Sequence, residues 1–226
     1  MANELTIEQF VDLASCLHGD QFRDASPFSL VGKALGERLA TWLTELGVQD
    51  EPIVHGAVDP AAHIKGRVYI EAGAKVEPTA YIEGPCVIAR GAEVRHGAYI
   101  RGNVYVGPKA VVGHATEVKG AIFFDDAKAG HFAYVGDSIL GRNVNLGAGT
   151  KLANLALRRA EVRVRHPETS DIVGSGLTKF SAIMADNSQT GCNAVLSPGT
   201  ILMQEALVGP CVHYRGTLSK GERKLR

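Results

Sequence analysis

The sequence has no excess of charge of either sign and no long apolar run. Lysine plus arginine and aspartate plus glutamate both number 24 among 226 residues, so the formal net charge is zero. This balance offers no large basic surface for nucleic acid and no acidic tail. No run of about 18 apolar residues exists to span a membrane, and the N-terminus, MANELTIEQF, is acidic rather than basic. We therefore expect a soluble, cytoplasmic protein without nucleic-acid or membrane partners.

Cysteine is scarce and catalytic signatures are missing. The four cysteines, Cys16, Cys86, Cys192 and Cys211, are widely spaced and form no C-x-x-C pair. This spacing argues against a zinc ribbon or a disulfide framework, and Cys86 is expected to be a small buried hydrophobe. There is also no nucleophile elbow, no Walker lysine loop and no carboxylate-rich cation site. The usual signatures of covalent catalysis are thus absent, and we expect no bound metal.

The first 50 residues have a helical pattern. Thr6 and Gln9 form a capping box ahead of IEQFVDLASCL, and SLVGKALGERLATWLTELG follows as a second helical segment with Gly47 as its stop. The apolar residues of the second segment recur at helical spacing: Val31, Leu35, Leu39, Trp42, Leu43 and Leu46. We predict a helical segment over residues 1–55 whose apolar stripe is a packing face, and whose helices cap one end of the domain that follows.

From Val58 the chain becomes a hexapeptide repeat. Its first position holds twelve consecutive apolar residues: Val58, Ile64, Ile70, Val76, Ile82, Ile88, Val94, Ile100, Val106, Val112, Val118 and Phe124. The fifth position is mostly small, and the third and fourth are rich in the Pro, Gly and Asn that turns require. Side chains two apart in a strand share a face, so both apolar classes point inward. Three hexapeptides, about 18 residues, close one triangular coil of a solenoid.

These features predict an all-β fold, the left-handed parallel β-helix, whose hand is assigned from the known association of hexapeptide repeats with that form. The repeat slips near His131, resumes with Val135, Leu140, Leu146 and Leu152, and resumes again with Ile183, Val195, Ile201 and Leu207. Between these runs lies an insertion that alternates as a β-hairpin arm. We predict a β-helix domain over residues 56–214, an arm at about 155–179 and a tail at 215–226.

Polar residues gather around the slip. Positions about 18 apart stack on successive coils, so Arg101, Lys119 and residues 135–137 are expected on one face, as a cationic ladder for a phosphate or as solvated surface charge. His96, His114 and His131 are spaced by about one coil. For His131 three interpretations stay open at this point: a zinc ligand, a general base and a structural histidine.

Residues 101–154 resemble a known family without a gap. The specific elements are E-x-K at 117–119, K-A-G-H-x-x-Y-x-G-D at 128–137 and N-x-N-x-G-A-G-T at 143–150. This stretch is similar to the acetyltransferase half of the bifunctional glucosamine-1-phosphate acetyltransferase and uridylyltransferase enzymes. TKFSAIMADNSQTGCNAVLSPGT, downstream, looks more like the variant in which the β-helix ends a sugar-1-phosphate nucleotidylyltransferase. The resemblance covers roughly residues 58–212.

The resemblance implies an acetyl-CoA-dependent hexosamine-1-phosphate N-acetyltransferase, and a homotrimer. It implies that His131 is the general base for the sugar amine, and that Arg101 and Lys119 bind the sugar phosphate. The remaining residues that it implies are Tyr134, Asn145 and Lys179 for the sugar, and Ala148, Asn154 and Cys192 for acetyl-CoA. Two positions depart from the family pattern: Leu155 replaces a tyrosine, and Cys192 replaces a serine.

About 55 helical residues precede the β-helix, where the bifunctional enzymes carry a Rossmann-like nucleotidylyltransferase domain. We therefore expect no nucleotidyl transfer. The arginines of the arm, Arg158, Arg159, Arg163 and Arg165, are expected either to meet the coenzyme phosphates or to be solvated. The competing hypothesis for the whole chain is a catalytically silent trimer, which binds a sugar phosphate or assembles with a partner nucleotidylyltransferase.

Overall fold

The hexapeptide repeat winds into a three-sided parallel β-helix. The computed structural model describes residues 4–226, so the first three residues of the predicted segment 1–55 lie outside the described residues. Each turn of the chain places one short strand on each of three parallel sheets, named faces 1, 2 and 3. A hairpin of two antiparallel strands, Arg163–Arg165 and Ile172–Gly174, forms the predicted arm.

The strands of each face are stacked in chain order. Those of face 1 are Ile53–Val54, Val68–Ile70, Cys86–Ile88, Val104–Val106, Ile122–Phe123, Ile139–Leu140, Ala182–Met184, Thr200–Leu202 and Thr217–Leu218. Those of face 2 are Ala57–Val58, Lys75–Val76, Glu93–Val94, Val111–His114, Lys128–His131, Asn145–Leu146, Gln189–Thr190, Leu207–Val208 and Arg223–Lys224. Those of face 3 are His63–Lys65, Tyr81–Glu83, Tyr99–Arg101, Glu117–Lys119, Tyr134–Gly136, Lys151–Leu152, Val195–Leu196 and His213–Tyr214.

The interior of the prism is a mainly apolar column, as the repeat predicted, with a few buried threonines such as Thr150 and Thr190. First-position residues such as Ile82 and Ile100 and small fifth-position residues such as Ala80 and Ala98 are fully buried in it. Cys86 is among them, paired in register between Val68 and Val104. The predicted fold class, a parallel β-helix with a short helical segment before it, is confirmed.

The break in the repeat lies earlier than predicted. Ile100 pairs with Val118, eighteen residues on, but Val106 pairs with Phe123, seventeen residues on. One residue is therefore missing at the corner around Gly120, between face 3 and face 1, and the next coil is short at the same corner. Phe123 fills the column, and Phe124 points outward. The prediction that Phe124 ends the inward series was wrong.

The later inward series was predicted one residue out of phase. The column contains Met184, Leu196, Leu202 and Val208, whereas the predicted Ile183, Val195, Ile201 and Leu207 point outward. Each of these pairs consists of two adjacent apolar residues, so alternation alone does not decide which member turns inward. Because the period of a strand is two, a shift of one residue exchanges inside for outside.

One α-helix spans Gly32–Glu45, within the second predicted helical segment. Its apolar stripe is buried. Gly47, at a φ of +80°, ends the helix as predicted, because its N–H donates to the Thr44 carbonyl while Val48 N–H reaches the Leu43 carbonyl.

The first predicted helix is not an α-helix. Residues 5–30 form short 3₁₀ turns at Ile7–Gln9, Leu13–Ser15, Gly19–Phe22 and Pro27–Leu30. The capping contact is present, with Thr6 N–H donating to Gln9 Oε1 at 3.0 Å. The backbone beyond it makes short-range hydrogen bonds within the segment and, at two positions, bonds to side chains of the β-helix: Asp12 N–H donates to Asp186 Oδ2 and Leu17 N–H to Asp125 Oδ2. At these two positions the side-chain acceptors replace helical hydrogen bonds.

The N-terminal segment covers a side of the prism and not an end, which corrects the predicted end cap. Face 1 carries an outward apolar row of Val87, Tyr105, Ile122, Ile139, Ile183 and Ile201. Buried residues of residues 5–48 pack on this row, and Val162 and Val164 of the arm join the same cluster. The arm thus lies along face 1. Faces 2 and 3 keep the polar residues of the site.

Candidate functional site

His131 stands at the corner where face 2 meets face 3. It ends the strand Lys128–His131, its side chain is exposed, and its register partner on the preceding coil is His114. A groove of about 700 Å³ runs along face 2 beside it. Asn145, Ala148 and Cys192, three further predicted site residues, line the same groove. The parallel stacking of successive coils therefore brings together residues that are 61 positions apart in sequence.

The groove is rich in charge. Arg95, Lys109 and Lys128 contribute positive groups to its lining, and Glu93 and Asp126 contribute negative ones. Arg95 pairs with Glu93 at 2.9 Å. Lys109 and Lys128 are exposed, so two ammonium groups remain accessible along the groove to an anionic ligand.

Face 3 carries a hydrogen-bonded network of predicted site residues. Tyr134 Oη donates to Asn154 Oδ1 at 3.4 Å, and Asn154 Nδ2 donates to Asp137 Oδ2 at 2.5 Å. The other carboxylate oxygen, Asp137 Oδ1, lies 3.4 Å from Lys119 Nζ. Burial raises the pKa of Tyr134, and the nearby Asp137 and Glu117 add to the rise, so the phenol stays protonated at neutral pH.

Arg101 lies on the same face and has a partner of its own. Its guanidinium is 2.7 Å from Glu117 Oε1, and both side chains are about two-fifths exposed, at 41% and 37%. The hydrogen bond to Glu117 raises the pKa of Arg101. Arg101 and Lys119 therefore share a face, as the spacing predicted, but in this structure each contacts a carboxylate.

Lys179 and Lys119 line the same hollow, at the corner where face 3 leads to face 1. The hollow has a volume of about 390 Å³ and is also lined by Asp137 and by Lys33 from the first turn of the α-helix. Lys179 also forms an isolated antiparallel bridge with Leu155, at the start of the arm. Three ammonium groups and two carboxylates, those of Asp137 and Glu37, therefore surround this hollow.

The predicted residues fall into two groups in the chain. His131, Asn145, Ala148 and Cys192 lie in the groove on face 2. Arg101, Lys119, Tyr134 and Asn154 lie on face 3, and Lys179 lies at its edge. Asn154, implied as an acetyl-CoA contact, is in the network with Tyr134 rather than in the groove.

Gly136 and Asp137 are the last two residues of the K-A-G-H-x-x-Y-x-G-D element and are not among the predicted site residues. A Cβ on Gly136 would lie 2.7 Å from Tyr134 Oη and 2.8 Å from Asn154 Nδ2. Only glycine leaves these two polar groups room to cross the strand. Asp137 is 2% exposed. The available signal was the position of both residues one coil after Lys119 and Gly120.

The histidines that are spaced by one coil stack on successive turns. His96 and His114 stack with their ring centroids 4.0 Å apart and their planes 21° from parallel. Nowhere between residues 4 and 226 are three or more His, Cys, Asp or Glu side chains grouped so that they could hold a metal ion.

Two arginines of the arm, Arg158 and Arg165, have neighbours of their own. Arg158 borders a separate hollow of about 670 Å³ with Leu155, Leu157 and Arg215, and Arg165 donates to the Ser170 carbonyl at 3.0 Å. All four cysteines are free thiols.

The described part of the chain, residues 4–226, contains no helix with the length and apolarity needed to cross a membrane.

Comparison with known proteins gives a family match over the central coils. Residues 82–169 match the GMPPB C-terminal domain. A bifunctional sugar-1-phosphate nucleotidylyltransferase/acetyltransferase from Sulfurisphaera tokodaii is 35% identical over 102 residues, 45% of this chain and 25% of that protein. The bifunctional protein GlmU of Methanococcus maripaludis is 36% identical over 92 residues, 39% of this chain and 21% of that protein. The chain thus matches about a quarter of the length of these relatives.

Among solved structures, the UDP-N-acetylglucosamine acyltransferase of Francisella novicida aligns at a TM-score of 0.43 and 11% identity, over 72% of this chain and 62% of the other. A likeness of this degree says nothing about function. The hexapeptide repeat, the pairing of successive coils and the sequence matches all indicate the same kind of protein. The chain is a hexapeptide-repeat β-helix protein, related over its central coils to the bifunctional sugar-1-phosphate nucleotidylyltransferase/acetyltransferases, and its residues 82–169 match the GMPPB C-terminal domain.

Proposed function

We propose that the chain is an N-acetyltransferase that moves an acetyl group from acetyl-CoA to the amine of a hexosamine 1-phosphate. The observation that carries the proposal is the position of His131. Its exposed imidazole stands at the corner between a long groove on face 2 and the polar network on face 3. The names of the relatives, which include sugar-1-phosphate nucleotidylyltransferase/acetyltransferases, support the same chemistry.

His131 supplies the base that the reaction requires. A protonated amine has no lone pair for attack on a thioester, so it must lose a proton before it attacks. A neutral imidazole has a free ring nitrogen that can accept a proton from the amine. After the ammonium has lost one proton to solvent, the amine attacks the thioester carbonyl and His131 accepts the second proton from its nitrogen. The C–S bond breaks, and the protonated His131 returns that proton to the leaving thiolate, so that the coenzyme leaves as a thiol.

The sugar phosphate would bind along face 3. Lys119 and Arg101 offer positive groups for the phosphate, and Tyr134 and Glu117 offer hydrogen bonds to hydroxyls. Glu117 would exchange Arg101 for the substrate, because the exposed ion pair costs little to open. Asn145 lines the groove together with His131 and would offer its side-chain amide to the sugar.

Acetyl-CoA would occupy the groove on face 2. A groove of about 700 Å³ is long enough for an extended coenzyme arm, and Ala148 and Cys192 line its wall. Lys109 and Lys128 give it accessible positive charge for the coenzyme phosphates. The thioester would then lie beside His131, where the two bound molecules meet.

We propose further that the active form is a homotrimer. Face 1 is covered by the N-terminal segment and the arm, which leaves faces 2 and 3 to contact other copies. The groove and the polar network would then be closed by neighbouring prisms. Light scattering behind size-exclusion chromatography measures the mass directly, and a monomer at micromolar concentration would remove this part of the proposal.

The enzymatic test is to mix the protein with acetyl-CoA and either glucosamine 1-phosphate or galactosamine 1-phosphate. Loss of thioester absorbance is the better readout, because Cys192 and Cys211 are exposed and would react with a thiol reagent. We expect turnover with one of the sugars. Acetylation of a nucleotide-linked amino sugar alone would indicate a sugar-nucleotide acetyltransferase. Sugar-phosphate binding without turnover would indicate the catalytically silent binding module.

His131→Ala tests the base, and His114→Ala is its matched control. His114 occupies the same register position one coil earlier, and its side chain is also exposed. Loss of a general base lowers kcat by about 10²- to 10⁴-fold. We expect that loss for His131→Ala and a nearly normal rate for His114→Ala. Full activity of His131→Ala would remove the assignment.

A further inference from the structure

Asp137 is a buried carboxylate at the edge of the candidate sugar site. It is 2% exposed and follows the strand Tyr134–Gly136, with a φ of +43°. Its backbone is fixed on both sides: its N–H donates to the Lys119 carbonyl at 2.8 Å, and its carbonyl accepts from Ser181 N–H at 3.0 Å. The carboxylate therefore has little freedom to move.

Its two oxygens contact two different predicted ligands. Oδ1 faces Lys119 Nζ at 3.4 Å, and Oδ2 accepts from Asn154 Nδ2 at 2.5 Å. With its amide nitrogen committed to Asp137, Asn154 turns its oxygen toward Tyr134 Oη. One carboxylate thus orients an ammonium group directly and a phenol through an amide.

The surrounding glycines form a fitted place for this carboxylate. A Cβ on Gly120 would lie 2.5 Å from Asp137 Oδ1, and a Cβ on Gly32 would lie 3.2 Å from it. Gly120 belongs to the corner that is one residue short, and Gly32 begins the α-helix and donates its N–H to the Gly120 carbonyl at 3.0 Å. The shortened corner and the helix start therefore enclose Oδ1 together with Lys119.

We propose that Asp137 is a positioning residue for phosphate binding. It holds Lys119 at the corner that follows face 3 and sets the hydrogen-bond direction of Asn154 and Tyr134. The start of the α-helix walls it in, so the N-terminal segment also supports the site. This inference rests on the proposed function, since it gives Lys119 the role of a phosphate ligand.

The chemistry of the carboxylate explains why a neutral group would not serve. In Asp137→Asn the side chain keeps its size but has one acceptor atom instead of two. Its amide N–H₂ must then face either the ammonium of Lys119, which is a donor, or Asn154, whose N–H₂ is also a donor. Asn154 can pair with it only by rotating its amide, which reverses the hydrogen bond to Tyr134, and Lys119 loses its ionic partner in either case.

The test compares Asp137→Asn with Asp186→Asn. Asp186 is also a buried carboxylate, 7% exposed, and accepts two backbone N–H groups, but it lies on another corner under the N-terminal segment. For each variant we would measure the melting temperature, the affinity for inorganic phosphate by calorimetry, and kcat and KM for the sugar phosphate. Asp137→Asn is expected to weaken phosphate binding and raise KM about tenfold, a typical effect of losing a hydrogen bond to a charged group. Asp186→Asn is expected to lower the melting temperature and leave both constants unchanged.

Coupling to Lys119 separates positioning from general stability. If Asp137 acts through Lys119, then Asp137→Asn adds little to the loss already caused by Lys119→Met, and the two effects do not multiply. The proposal is overturned if the effects multiply, if Asp137→Asn changes only the melting temperature, or if the wild-type protein does not bind inorganic phosphate. Absence of acetyl transfer with normal phosphate binding would remove the proposed function, and phosphate affinity in Asp137→Asn would still decide the role of Asp137.

Discussion

At the scale of single residues, the candidate site depends on glycines at positions where a side chain would displace neighbouring polar groups. Gly136 belongs to the K-A-G-H-x-x-Y-x-G-D element, but the pattern does not say why this position must be glycine. In the structure it is buried in a face-3 strand, under Tyr134 Oη and Asn154 Nδ2. Its role is to leave space, which becomes visible only when the next coil is stacked on it.

Gly136→Ala is therefore expected to disturb the site as well as the fold. The added methyl would push Tyr134 Oη and Asn154 Nδ2 from contact distances of 2.7 and 2.8 Å. We expect KM for the sugar phosphate to rise severalfold, while the free energy of unfolding falls by about 1–3 kcal/mol, typical of overpacking. The measurements are steady-state kinetics and urea unfolding.

Gly130→Ala is the control for the unfolding measurement only, because a Cβ at Gly130 meets no atom within 4 Å, while the position lines the groove beside His131. An unchanged KM in Gly136→Ala would contradict our account of the network.

At the scale of elements, the phase of each strand decides what is inside. In Val195–Leu196 both residues are apolar, and only the register shows that Leu196 pairs with Leu152 and Tyr214 within the column. The same ambiguity affects Ile201–Leu202 and Leu207–Val208. It explains why the repeat was predicted correctly while its late phase was not.

Leu196→Ala and Val195→Ala test this phase. Leu196 is fully buried, whereas Val195 is half-buried on face 3. Leu196→Ala should lower the free energy of unfolding by about 2–5 kcal/mol through the lost contacts and the cavity. Val195→Ala should lower it by less than about 1 kcal/mol. Equal losses in urea unfolding would show that the assigned phase is wrong.

The N-terminal segment is attached to face 1 partly through His18. Its Nδ1 is 3.0 Å from Tyr105 Oη and its Nε2 is 3.2 Å from Glu71 Oε1, and its ring packs edge-on against Trp42. Burial lowers the pKa of His18, although Glu71 and Asp125 oppose the change and Arg90 adds to it. The neutral imidazole is thus the form that the folded state favours.

This direction predicts a loss of stability in mild acid. The contribution of neutral His18 is fully present above its ordinary pKa of 6.5 and is lost as the pH falls through the lowered folded value. We expect the free energy of unfolding, followed by the fluorescence of Trp42, to decrease between pH 7 and 5, about the range in which histidine titrates. In His18→Gln this part of the decrease should disappear. An equal decrease in the variant would assign it to other groups.

At the scale of the whole molecule, the prism has one side that must be covered. The outward row on face 1 is apolar from Val87 to Ile201 and is buried by residues 5–48 and by the arm. A contiguous apolar surface of this kind in water promotes association. The N-terminal segment is therefore part of the stable unit of this chain.

Removal of residues 1–50 is expected to expose this row and make the β-helix associate. The truncated protein should bind a hydrophobic dye such as ANS and elute as large, polydisperse species. Removal of the exposed residues 225–226 is the control and should change neither property. A truncated protein that stays monodisperse and free of dye would show that face 1 does not need its cover.

Sequence alone determined the class of fold, because a period of six with small residues at the corners fits a triangular coil and very little else. It also marked the stretch that contains the site, through residues 128–150, and the helix that Gly47 ends. The sequence also contains a signal for the covered face, which we did not use in the predictions. Every third hexapeptide of the central coils has an outward apolar residue, at Val87, Tyr105, Ile122 and Ile139.

Only the tertiary structure decided how these parts combine. The missing residue at the Gly120 corner, the phase of the last coils and the placement of residues 5–30 on face 1 all depend on partners distant in sequence. So does the Asp137 network, which joins Lys119 to Asn154 across two coils. A local pattern records which residues alternate, whereas hydrogen-bond register and contact between coils decide which side of the chain faces the core, a neighbouring segment or a ligand.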